Sequence, residues 1–318
     1  MPADPGLRPT GVPGQYAASV ALILAPDPVE AAGTLAAALT ATPWIKTVEV
    51  SGPGYLTITV TAAALAAVAD RVTSAGPACV TSDALHASTV PAPPPGDPLS
   101  AATWAEARSA LAARVTARLA TAAGATVAQL DRKDQPEDED TERSRVSHRR
   151  HPDSAAIGAA VSFAGPDAVL FSLARAIPGR PVRIDPAIIA RHVLGNPAYA
   201  VRYAHARAAS GVRWAAAVPS RVEAVPWRPP ADQEELALLD ALSWLPERAA
   251  IAARRGRPDE FARYLEELAS ATIAALTTAS HPGSAGAPGA DRLGLAAAAR
   301  TGLAAGLGML GVSAPDRL

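Results

Sequence analysis

Lysine is nearly missing from this 318-residue chain: it occurs only at Lys46 and Lys133, and arginine carries almost all of the positive charge. The single cysteine, Cys79, excludes an internal disulfide and any cysteine-rich zinc site. Aromatic residues make up only 4% of the chain, so its cores must be built from close helix contacts between small side chains, with few large anchors. A net charge of −1 excludes a global basic field; any binding of nucleic acid has to come from a local patch. No stretch supplies the roughly 20 apolar residues of a bilayer span. The apolar run YAASVALILAP has only Arg8 ahead of it and is approached through prolines and glycines, a poor fit to a signal peptide. The six histidines include no pair at helical metal-ligand spacing beside a carboxylate. The expectation is a soluble cytoplasmic protein with no membrane contact, no metal and no cofactor.

Hydrophobic residues make up 49% of the chain, and alanine is prominent among them. Residues 1–13, rich in Pro and Gly, are expected to be disordered. A small α/β module follows over 14–78. Its parts are a helical pattern from Tyr16 to Leu24, a helix over 29–41, the hairpin IKTVEV-SGPG-YLTITV, and a helix closed by Gly76. Residues 79–130 read as a Pro-rich linker, where STVPAPPPGDP argues against regular structure, and one amphipathic helix over 99–125. The segment 131–164 begins as a polyampholyte, acidic then arginine-rich and without apolar periodicity, and reads as a charged linker. From 165 to 318 the pattern predicts a helical bundle, with helices over 166–176, 185–194, 197–215, 232–255, 258–279 and 291–311. The fold class is therefore mainly α, with a small α/β unit ahead of the bundle.

Several ordered motifs carry a resemblance. GPDAVLFSLAR, NPAYAVRYAHARAASGVRW, FARYLEELASA and the terminal LAAGLGMLGVSAPDRL together resemble the C-terminal anticodon-binding domain of arginyl-tRNA synthetases, named for its Asp-Ala-Leu-Arg (DALR) signature. Here the signature reads Asp167-Ala168-Val169-Leu170. QYAASVALILA and VEVSGPGYLTITV resemble that family's N-terminal tRNA-binding module. Family members carry a catalytic nucleotide-binding α/β domain between these modules, whereas about 90 residues separate Gly76 from Asp167, and a doubly wound sheet needs several units of ~30 residues each. DPLSAATWAEARSAL resembles the start of that domain after decay, with the His-x-Gly-His positions falling on Ser100, Ala101, Ala102 and Thr103. RVSHRRHPD resembles a decayed second motif, its lysine positions taken by Arg145 and His148. The resemblance thus implies a pseudoenzyme related to arginine-tRNA ligase, with no catalytic residues.

What it implies for binding centres on one helix. At 100° per residue, Tyr199, Arg202, Tyr203, Ala206 and Arg207 share one face. Either the tyrosines pack between helices while the arginines pair, or a tyrosine stacks on a base while arginines meet phosphates. His205 points away from this stripe and reads as structural. Arg263 and a cluster of further arginines (213, 254, 255 and 257) supply charge, and Tyr55 in the hairpin offers a second stacking ring. The expected partner is tRNA, arginine tRNA included, or a related RNA. An alternative remains open: where the family has aromatics facing the anticodon loop, this chain has Thr272, Ile273, Ala275 and Leu276. An aliphatic strip there would suit a protein partner, such as an active arginyl-tRNA synthetase.

Overall fold

The computed structural model describes residues 6–92, 96–129, 153–217, 232–278 and 290–318. The N-terminal unit is a four-stranded antiparallel sheet in the order β1-β2-β4-β3, made of β1 (Arg8–Pro9), β2 (Gln15–Ala18), β3 (Ile45–Ser51) and β4 (Tyr55–Val60). The expected hairpin forms with Ser51 opposite Tyr55, and Gly52 (φ 54°) and Gly54 (φ 119°) supply the positive backbone angles of its turn. Helix α1 (Ala21–Leu24) is a single turn. Helix α2 (Pro28–Thr40) starts where Asp27 accepts hydrogen bonds from the backbone N–H groups of Val29 and Glu30, with Pro28 at the first helical position. Helix α3 (Ala62–Ala75) is capped by Thr61 and stops at Gly76, whose φ of 57° favours glycine.

A parallel pair follows: β5 (Thr89–Ala92) lies beside β6 (Thr126–Gln129), with α4 (Trp104–Ala122) as the connection between them. Helix α5 (Asp153–Ala164) leads into the bundle of α6 (Pro166–Arg175), α7 (Pro186–Ile189), α8 (Pro197–Ala217), α9 (Gln233–Ser243), α10 (Leu245–Arg255), α11 (Pro258–Thr278) and α12 (Ala290–Leu310). One continuous core joins α3, α4 and the bundle through Leu65, Leu111, Leu119, Phe171, Leu239, Phe261 and Leu265, with small alanines between them. A second, small core of Ala18, Ala21, Ala32 and Leu56 sits under the N-terminal sheet. Contrary to the expectation that no stretch would be long and apolar enough for a bilayer span, helix α12 contains such a window, Leu293–Leu310, of which 56% is buried within the bundle.

Several expectations are corrected. Residues 8 and 9 pair with Ala17 and Tyr16 rather than staying loose. The span from Tyr16 to Leu24 is a strand followed by one helical turn, because residues 15–18 pair along β4. Within the Pro-rich segment, Thr89–Ala92 is a strand; it lies along β6, and Pro91 is tolerated where a strand has a free edge. Residues 153–164, expected as linker, form α5. The predicted helix 185–194 shrinks to four residues. The predicted helix 232–255 is two helices that meet at Trp244, since Pro246 cannot donate within a continuing helix.

The N-terminal unit sits directly on the bundle. Tyr16 donates from its hydroxyl to Asp240 Oδ1 at 2.5 Å, and the Gly14 N–H donates to the same oxygen at 3.3 Å. The Tyr16 ring meets Trp244 edge-on at 5.6 Å between centroids. Burial, reinforced by Asp240, raises the Tyr16 phenol above its ordinary pKa.

Candidate nucleic-acid interface

Helix α8 owes its start to Asn196 and Pro197. Asn196 is buried, and its side-chain amide donates to the carbonyls of Ile189 (2.7 Å) and Arg191 (2.8 Å). This folds the loop 189–196 back onto the helix and fixes the ring of His192. The result is a three-ring ladder. His192 stacks on Tyr199 at 5.2 Å and 12°, and Tyr199 stacks on Tyr203 at 5.6 Å and 23°. Both tyrosines are half-buried and His192 is exposed, so the ladder is accessible from its histidine end.

Beside the ladder runs a groove of about 550 Å³ between α6, the 177–196 loop and α11. Its floor includes Phe171, Ile177 and Ile189, and five arginines line it: Arg175, Arg180, Arg183, Arg191 and Arg263. No carboxylate lines it. Arg175 is paired with Glu266 at 2.6 Å, and Arg263 lies 3.7 Å from Asp259. Arg180, Arg183 and Arg191 are exposed and form no ion pair with the described residues. The groove therefore keeps a net positive charge that a chain near neutrality would otherwise hide.

The arginines singled out on α8 hold the bundle together. Arg202 reaches Asp167, the first residue of the DALR-like signature, at 3.2 Å, and Asp167 also accepts from the backbone N–H of Ser313 at 2.9 Å. Arg207 donates to the Leu276 carbonyl at 3.3 Å. Around the arginine cluster, Arg257 makes a two-bond fork with Asp259 (2.8 Å each), Arg255 pairs with Glu260 at 3.1 Å, and Arg213 donates to the Asp316 carbonyl at 2.7 Å. Arg254 is exposed. Tyr55 is exposed at the hairpin, in the N-terminal unit rather than on α8. His205 is 2% exposed and its Nδ1 lies 3.0 Å from the Pro315 carbonyl, a structural role as expected.

Thr272 and Ala275 are buried, and Ile273 and Leu276 pack against the core. Two of these four residues are thus buried and two partly buried, which leaves little of the aliphatic strip open to a protein partner. The residues that the sequence reading missed are Arg180, Arg183, Arg191 and His192. Their one signal was position, in the loop that NPAY terminates.

The four positions 100–103 lie between β5 and α4, where a parallel pair and its connecting helix would present a helix N-terminus to an anion. That N-terminus is already filled. Glu106 Oε2 accepts from the backbone N–H groups of Ala102 (3.0 Å) and Thr103 (3.2 Å), and Thr103 Oγ1 accepts from the Glu106 N–H at 3.1 Å. Ser100 donates to Asp97, which helps hold that carboxyl below its ordinary pKa. Arg145 and His148 lie outside the described residues.

Residues 201–318 match the family model of the DALR anticodon binding domain. Residues 201–318 thus form a DALR anticodon-binding domain homologous to that of the arginine–tRNA ligases. The arginine–tRNA ligase of Kineococcus radiotolerans is 38% identical over 163 residues, which cover 50% of this chain and 29% of the relative. That of Frankia alni is 37% identical over 164 residues, 50% of this chain and 30% of the relative. The chain thus spans about three-tenths of the length of these relatives. Among solved structures, the Thermus thermophilus arginyl-tRNA synthetase overlaps 73% of this chain and 41% of its own at 22% identity, with a TM-score of 0.41. Asp167, which precedes the matched residues, ties α6 to α8 and to the C-terminal tail.

Proposed function

We propose that this chain is a non-catalytic, cytoplasmic relative of arginyl-tRNA synthetase that binds tRNA, or RNA shaped like an anticodon arm, through its DALR domain. The observation that carries the reading is the three-ring ladder of His192, Tyr199 and Tyr203 beside a groove whose rim arginines 180, 183 and 191 are free of ion pairs among the described residues. Unstacked bases favour aromatic faces, at about 1–3 kcal/mol per base, and phosphates favour guanidinium forks. Arg202 and Arg207 contribute by holding α8 in place, and Arg263 by lining the groove. Tyr55 offers a separate contact from the N-terminal unit.

Two features support the absence of amino-acid activation. Among the described residues the parallel sheet has two strands, too few for a nucleotide-binding crevice at a strand-order switch. The helix N-terminus above Ser100–Thr103 is closed by the chain's own Glu106.

Binding of purified protein to bulk tRNA at low and moderate salt, with an arginine-tRNA transcript for comparison, tests the proposal. Salt-sensitive binding weakened by Tyr203→Ala and by Arg183→Ala/Arg191→Ala supports it. A folded protein that binds no tRNA at low salt overturns it.

A further inference from the structure

A second cavity, distinct from the arginine groove, opens where the N-terminal unit meets the bundle. Its volume is about 650 Å³, within the range of small-molecule sites, which favour junctions between folded units. Three aromatic side chains line it: Tyr16 from β2, Trp44 from the turn before β3, and Trp244 from the α9–α10 junction. Leu65 and Val68 of α3 form an apolar floor.

The aromatic walls differ in rigidity. Tyr16 is held by Asp240 and abuts Trp244. The guanidinium of Arg248 lies over the Trp244 ring, 5.9 Å from its centroid, and also 5.8 Å from the Tyr264 centroid. Trp44, by contrast, is 54% exposed. In a chain with five tryptophans, an indole left in water at the lip of a cavity lined by a second indole is a stacking surface without an occupant.

Charge at the rim selects among planar ligands. Arg71 and Arg254 line the cavity, are exposed, and form no ion pair among the described residues; Glu247 is the one carboxylate in the lining. The rim is therefore net positive, with one acceptor for an amine or hydroxyl. We propose that this cavity binds a small planar aromatic anion of the nucleoside monophosphate class, its ring against Trp44 and its phosphate between Arg71 and Arg254. Such a ligand touches both the N-terminal unit and the bundle, so binding fastens one to the other.

The test is calorimetric titration of the full chain with adenosine monophosphate, repeated with adenosine and with inorganic phosphate, while tryptophan fluorescence is followed. Saturable binding of the monophosphate is expected, about tenfold tighter than adenosine, with fluorescence quenching and a raised melting temperature. Trp44→Ala should weaken it about tenfold, and Arg71→Ala/Arg254→Ala should reduce the monophosphate to the affinity of adenosine. Circular dichroism checks that these surface variants fold. The proposal fails if the monophosphate does not saturate, if inorganic phosphate binds equally well, or if Trp44→Ala leaves affinity unchanged. It also fails if Arg183→Ala/Arg191→Ala abolishes the binding, because the nucleotide then occupies the arginine groove. None of these outcomes bears on tRNA binding by the DALR domain, which is measured separately.

Discussion

The hydroxyl of Tyr16 and the carboxylate of Asp240, 224 positions apart in sequence, meet at 2.5 Å and pin the N-terminal sheet to α9. Burial raises the pKa of Asp240, and the bonds from Tyr16 and Gly14 oppose that rise. A native carboxyl with a raised pKa holds its proton more tightly than the unfolded one. Its destabilising effect is therefore absent below about pH 4 and grows as pH rises through the native value. Tyr16→Phe keeps the ring against Trp244 but removes a donor to the ionised group. Urea unfolding at neutral pH should show a loss of about 1.5–3 kcal/mol, shrinking toward pH 4. A loss that does not vary with pH would show that the bond acts without regard to the charge of Asp240.

The C-terminal tail has its own pH dependence. His205 Nδ1 faces the Pro315 carbonyl, and burial lowers the histidine's pKa, with Arg300 acting in the same direction and Asp316 against it. The native protein favours the neutral ring, so stability is full above the unfolded value of about 6.5 and falls as pH drops through it toward the lowered native pKa. Asp316 acts in a lower window: the bond from Arg300 holds its pKa down, and that contribution is lost as pH falls below about 4. Melting temperature between pH 7 and 5 should decline in the natural chain and decline less in His205→Gln. Parallel curves would reject His205 as the titrating group.

Much of this architecture was legible because it rests on local chemistry. The hairpin announced itself by β-branched runs around Ser-Gly-Pro-Gly, and α8 and α11 by long apolar periodicity. Failures came where tertiary pairing overrides local pattern. β5 looks like a Pro-rich loop until β6, more than 30 residues later, supplies the partner strand. In the candidate interface the tyrosines were legible from their spacing. The ladder was not, because His192 reaches Tyr199 only when Asn196 folds the loop back. Whether an arginine is free is likewise a tertiary property: Arg202 and Arg207 could be read as paired or as phosphate contacts and are engaged, whereas Arg183 and Arg191 drew no notice.

Close helix approach in α12 depends on Gly302 and Gly306. A Cβ at Gly306 would lie 2.4 Å from Leu265 Cδ2, and one at Gly302 would lie 2.6 Å from Leu242 Cδ2. Leu265 is fully buried and cannot swing into solvent. Gly306→Ala should therefore destabilise by about 1–3 kcal/mol through overpacking, against a propensity gain of roughly 1 kcal/mol at an ordinary helix position. Denaturant midpoints check the sign, and a stabilised variant would mean that α11 and α12 separate at little cost.

Arginines that hold the fold and arginines that meet RNA should separate by experiment. Arg202 and Asp167 form a pair with side chains 24% and 19% exposed, and Asp167 keeps only its bonds to Ser313 when Arg202 is removed. Arg202→Met should cost about 2–3 kcal/mol of stability, and adding Asp167→Asn should recover part of it, because the carboxylate left without its guanidinium is gone. Arg191→Ala removes an exposed charge with no ion pair among the described residues and should leave the denaturant midpoint within about 0.5 kcal/mol of the natural chain. Its effect belongs in the salt dependence of tRNA binding, where loss of one phosphate contact lowers the log–log slope by about 0.7–0.9. If Arg202→Met lowers the salt slope as Arg191→Ala does while leaving stability intact, the pairing with Asp167 gives way to phosphate in the complex. If Arg191→Ala leaves the slope untouched, RNA does not follow the groove.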